Sequence, residues 1–145
     1  MDTIRVKKLN PNAKLPTYGS AEAAGADLYA CLDEPITIHP GESAWIPTGI
    51  ALEVPKGCAG LIYARSSMGV KRGLAPANKV GVIDSDYRGE IRVVLFNHGK
   101  TPQIVENAER VAQFLITPVL TPDYEEVDEL TDTDRGTGGF GSTGK

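Results

Sequence analysis

Glycine and proline punctuate this chain densely, with 16 glycines and 10 prolines in 145 residues. Together they exceed the average usage of roughly 12%. Such a chain folds into many turns and short elements rather than long helices. The runs between the breakers have strand length. Ile4–Leu9 reads as a first strand, and Lys14–Gly19 as a proline-containing loop. Pro35–Gly41 reads as strand then turn, followed by Ala44–Pro47 and Ile50–Val54 around Thr48-Gly49. Cys58–Ala64, Val80–Ile83, Glu90–Asn97, Gln103–Val105 and Val111–Leu120 complete the set. Only Ser66–Arg72 invites a short helix, with Ser66 as its cap. Short strands at regular spacing with Gly/Pro turns predict an all-β sandwich or jelly roll.

The length suits one domain. The composition changes after Leu130, which divides the chain into a β domain at 1–130 and a glycine-rich tail at 131–145. That tail has too little apolar surface to offset its ordering entropy, so it is expected to be mobile when free. The formal charge is −4 and no Lys/Arg block is present. Nucleic acid, which demands a basic stripe, is therefore not an expected partner. No stretch approaches the roughly 18 apolar residues of a membrane span, and the N-terminus lacks the apolar core of a leader. Cys31, Cys58, His39 and His98 lack the spacing of a zinc site. The expectation is a cytoplasmic protein with reduced thiols.

Five segments carry chemistry. In Arg135-Gly136-Thr137-Gly138-Gly139-Phe140-Gly141-Ser142-Thr143-Gly144, glycines let backbone N–H groups approach a phosphate. Arg135 can fork onto phosphate oxygens, and Phe140 offers a face for a base. This combination reads as a lid over a nucleotide. Ala64-Arg65-Ser66-Ser67-Met68-Gly69 sets a cation and two hydroxyls where a strand enters a helical turn. In Asn78-Lys79-Val80-Gly81-Val82-Ile83-Asp84-Ser85-Asp86-Tyr87-Arg88-Gly89, a carboxylate follows an apolar strand, a candidate general base. Asn78 can read a base edge, and Tyr87 can pack against a sugar. As a bare hairpin, the Asp-Ser-Asp turn is also explained by turn chemistry alone. Ala24-Gly25-Ala26-Asp27-Leu28-Tyr29-Ala30 and Glu106-Asn107-Ala108-Glu109-Arg110-Val111-Ala112-Gln113-Phe114 are bland alone. Asp27 suits a turn, and Arg110 and Gln113 suit the solvated side of a strand.

In chain order, these segments resemble the five motifs of the trimeric dUTPase family, from Ala24 to Thr143. The Gly81–Gly89 hairpin and the tail carry most of the resemblance. The second motif departs from the usual Pro-Arg-Ser-Gly, with Ala64 for Pro and Ser67 for Gly.

The resemblance implies a jelly-roll-like β-sandwich or barrel of the β-clip type, with one short helix. It implies a homotrimer that hydrolyses dUTP to dUMP and pyrophosphate with Mg²⁺, limiting dUTP for DNA synthesis and supplying dUMP for thymidylate. Asp84 would activate the water attacking the α-phosphorus. Asp27 would contact the metal through water, the ion being held mainly by substrate phosphates. Arg65, Ser66, Ser67 and Gln113 would hold phosphates, and Arg135, Ser142 and Thr143 would clamp the terminal one. Phe140 would stack over uracil, and Gly141 would contact the substrate. Asn78, Val82, Ile83 and Arg92 would frame uracil, and Tyr87 would exclude a 2′-hydroxyl.

Two rivals are weaker. A dCTP deaminase shares the fold, but its glutamate is matched by Val94 and its second arginine by Val70. Proton shuttling to a cytosine ring then has no carboxylate. A non-catalytic nucleotide-binding regulator fits poorly with Asp84, Tyr87, Arg135 and Phe140 all present.

Overall fold

The computed structural model describes residues 3–144. Lys145, the last residue of the expected tail, lies outside the described residues, as do Met1 and Asp2. Among the described residues, twelve strands form two principal sheets and two strand pairs. The larger sheet has the order β2 (Thr17–Tyr18), β3 (Ala26–Tyr29), β12 (Arg110–Pro118), β7 (Cys58–Tyr63) and β9 (Gly81–Ile83). The second runs β5 (Ser43–Pro47), β10 (Arg92–Asn97), β8 (Leu74–Pro76). β1 (Val6–Lys8) pairs with β6 (Ile50–Leu52), and β4 (Ile36–Ile38) with β11 (Gln103–Val105). All pairings are antiparallel.

Alternation explains the layering. Along β10, Val93 and Leu95 point inward while Arg92 is exposed. Ile46, Leu74, Val93 and Leu95 from one sheet share a core with Leu28, Ile62, Val111 and Phe114 from the other. The result is a β-sandwich rather than a closed barrel. Gly60 in β7 is required by packing. A Cβ there would sit 2.6 Å from Cε2 of Phe114. Cys31 joins the core, where burial pushes its thiol titration up, with Asp33 and Glu90 adding negative charge nearby.

Three strands escape the sequence pattern. β3 is buried at Ala26, Asp27 and Leu28 in succession, so it has no alternation. β2 is two residues inside the expected loop. β8 ends in Pro76, which is tolerated because β8 is an edge strand pairing only β10. The expected helix is a single π turn, Ser67–Lys71. Ser66 does not cap it: its backbone is already helical, at φ −57°, ψ −41°, and its side chain makes no capping bond. A capping residue needs extended dihedrals to reach back to the free N–H groups.

Among the described residues no strand follows Pro118. Residues 120–144 form no hydrogen bond or ion pair with the rest of the chain among the described residues. Leu120, Tyr124, Val127 and Leu130 are exposed along this arm.

Candidate active site

A β-bulge builds the first half of the site. Arg110 pairs with Tyr29 and Ala112 with Leu28, leaving Val111 as the extra residue of β12. In a regular strand, residues three apart face opposite sides. The extra residue lets Val111 and Ala112 both turn into the core, while Arg110 and Gln113 share the outer face. Asp27 lies directly opposite Gln113 on one side, and Tyr63 on the other.

Asp27 is the hub of this face. Its Oδ1 accepts from Arg65 Nε at 2.7 Å, and its Oδ2 lies 3.4 Å from Arg110 Nη1. The Asp27 side chain is 11% exposed and that of Arg65 21%, so this pair is shielded, unlike the surface pairs that contribute little. Arg65 also donates to Ser67 Oγ at 3.1 Å. The Ser67 hydroxyl therefore braces the guanidinium. Gln113 Nε2 donates to the Ala64 carbonyl at 2.9 Å, fixing the residue before Arg65. Gly25 makes room for this amide, since a Cβ there would lie 2.7 Å from Gln113 Oε1. Ser66 is exposed beside them.

An open cleft of about 450 Å³ adjoins the cluster, lined by Tyr29, Arg65, Ser67, Arg72, Glu109 and Arg110. Arg72 is paired with Glu109 at 3.0 Å. An apolar groove of similar size, lined by residues such as Ile4, Leu15, Leu52 and Phe114, carries none of these groups. The charged side chains line the polar cleft.

The second half is the turn after β9; it is not the expected hairpin, because β9 pairs with β7 while β10 pairs with β5 and β8 in the other sheet. Asp84 is exposed, and its carboxylate makes no hydrogen bond or ion pair among the described residues. Tyr87 N–H donates to the Asp84 carbonyl at 3.2 Å, and the Tyr87 hydroxyl to the Glu90 carbonyl at 2.8 Å. The Glu90 carboxylate accepts from Gly49 N–H at 3.0 Å and from Arg92 Nε at 3.1 Å. Arg92 also lies over the Trp45 ring. Asn78 is exposed in the turn before β9, where Lys79 has φ 68°. Val82 is exposed and Ile83 half-buried.

These halves are apart within one chain. Gly60 pairs with Ile83 and Ile62 with Gly81, so extending the register sets Asp84 beside Ala59. Arg65 lies six residues further along β7 and its continuation, about 20 Å at roughly 3.3 Å per residue. The tail forms its own turns. Arg135 Nε donates to the Gly138 carbonyl at 2.7 Å, and Ser142 N–H to the Gly139 carbonyl at 3.0 Å. Phe140, at φ 51°, is fully exposed, and Gly141, Ser142 and Thr143 are exposed.

A family model described as dUTPase matches residues 11–144. The chain belongs to the dUTPase family. It is 48% identical to the deoxyuridine 5'-triphosphate nucleotidohydrolase of Desulfitobacterium hafniense, covering 99% of each chain. It is 49% identical to that of a Janthinobacterium species, covering 100% of this chain and 99% of the relative. The fold also matches a solved Staphylococcus bacteriophage 80alpha dUTPase with dUPNHPP, at a TM-score of 0.91 and 28% identity over all of both chains.

Against this family background, Arg110, Tyr29 and Glu90 are the neighbours that sequence reasoning missed. Arg110 was readable only with the bulge in hand. Glu90 was hidden because its partner, Gly49, is 41 residues away.

Proposed function

We propose that this dUTPase works as a homotrimer whose sites are shared between subunits and need Mg²⁺. The enzyme hydrolyses dUTP to dUMP and pyrophosphate. The observation that carries the sharing is the β7–β9 register, which sets Asp84 beside Ala59 and leaves Arg65 six residues further on, roughly 20 Å at about 3.3 Å per residue. Water activation and phosphate binding must meet at one nucleotide, so a neighbouring copy supplies one of them. The arm supports association. Its exposed Leu120, Tyr124, Val127 and Leu130 alternate with Asp123, Glu125, Glu126, Asp128 and Glu129. β1 pairs only with β6 and bears Lys7 and Lys8, an edge of opposite charge.

Asp84 orients and deprotonates the water that attacks the α-phosphorus. A carboxylate within reach of the attacking water can take up its proton as the bond to phosphorus forms. Arg65, Ser66, Ser67 and Gln113 hold phosphates on the Asp27 face. Arg135, Ser142 and Thr143 close over the terminal phosphate, with Phe140 and Gly141 over the base. Asn78, Val82, Ile83 and Arg92 frame uracil, and the Tyr87 ring lies under deoxyribose.

Among the described residues no three His, Cys, Asp or Glu gather, and both Asp27 oxygens face arginines. That donor set does not suit an ion caged by protein. It suits Mg²⁺ held by substrate phosphates, with Asp27 accepting from its waters. When bound, the ion supplies neutralisation of phosphate charge. A cytoplasmic location belongs to the same reading, since dUTP is a metabolite of the cell interior. No helix among the described residues is long and apolar enough to cross a membrane.

The test is pyrophosphate release from dUTP, with dCTP and UTP beside it. Release from dUTP, with dCTP rejected by roughly 10⁴-fold or more, is expected from a site that hydrogen-bonds uracil. Comparable cleavage of dCTP contradicts the uracil-reading turn.

A further inference from the structure

Gly89 is not a glycine for backbone reasons. Its φ lies outside the left-handed region, unlike Gly41, Gly49, Gly57 and Gly73. The constraint is spatial. A Cβ at 89 would lie 2.6 Å from Cζ and 3.0 Å from Cε2 of Tyr87, and closer still to the hydroxyl oxygen. The ring bends back over its own turn and fills the space that a side chain at 89 would take. Its hydroxyl is tied to the Glu90 carbonyl at 2.8 Å. Glu90 in turn grips Gly49 N–H. The ring is thus held from below by the missing side chain and at its tip by a braced carbonyl.

We propose, resting on the reading of Tyr87 as the sugar platform, that Gly89 is a specificity-determining position. Its missing side chain sets the height of the Tyr87 ring, and that height decides whether a 2′-hydroxyl fits. A methyl group at 89 lifts or swings the ring by about an ångström. The methyl touches no substrate, so its effect is on discrimination rather than on the attacking water.

The test measures kcat/KM for dUTP and UTP in Gly89→Ala, Tyr87→Ala and the double variant. In Gly89→Ala the dUTP preference should fall by about 10- to 100-fold, the scale of a 1 Å misplacement. In the double variant the methyl has no ring to meet. Its preference should equal that of Tyr87→Ala alone, the non-additivity of two groups acting as one. Melting separates a folding defect. If Gly89→Ala fails to fold, the double variant should fold again, and its failure to do so overturns the spatial argument. An unchanged preference in Gly89→Ala, or an equal loss on both nucleotides, overturns the role of Gly89. An unchanged preference in Tyr87→Ala overturns instead the reading of Tyr87 beneath it.

Discussion

Asp84→Asn should bind nucleotide and barely turn it over. Positioned general bases contribute about 10²- to 10⁴-fold, and the substitution should remove most of that from kcat. The amide keeps the size of the side chain and loses its basicity. Asp84 is exposed, with no side-chain partner among the described residues. Stability should therefore change by no more than about 0.5 kcal/mol. Binding of a non-hydrolysable dUTP analogue should stay within a few-fold. Single-turnover kinetics and melting measure both sides of this expectation. Turnover within tenfold of the parent would mean that another group handles the proton.

Removing residues from Arg135 onward should separate activity from folding in the same way. Among the described residues, Arg135 hydrogen-bonds only within its own turn and Phe140 is fully exposed. No core contact is lost, so melting and oligomer size should be unchanged. The catalytic loss should be large. Aromatic stacking on a base is worth roughly 1–3 kcal/mol, and the charged fork onto phosphate adds to it. A fall of about 10²-fold or more in kcat/KM is expected from those two contacts together. A truncated chain that melts early or dissociates would assign the tail to the scaffold instead.

The legible and hidden parts of this protein divide along physical lines. β5, β7, β10 and β11 stand out because short apolar segments lie between Gly/Pro turns. β3 is hidden because Asp27 is buried against Arg65 while Leu28 is buried in the core, so polarity no longer marks the face. The same burial turns Asp27 from an expected turn residue into the anchor of two arginines. Arg110 read as no more than the solvated side of a strand, and it is the bulge at Val111 that puts it on one face with Gln113, within reach of Asp27. The motif order named the family, but distances across the site depend on register. Asp84 and Arg65 are 19 positions apart in sequence, yet about 20 Å apart along β7.

That distance makes a mixing experiment the most direct measurement. Asp84→Asn carries an intact phosphate-binding face, and Arg65→Ala carries an intact turn after β9. Each should be nearly inactive alone. Unfolded together in equal amounts and refolded, they should recover about a quarter of parental activity, because each of two roles is filled correctly half the time in a random symmetric assembly. Mixtures as inactive as either variant alone would show that one chain builds its site unaided, and sharing between subunits would be wrong.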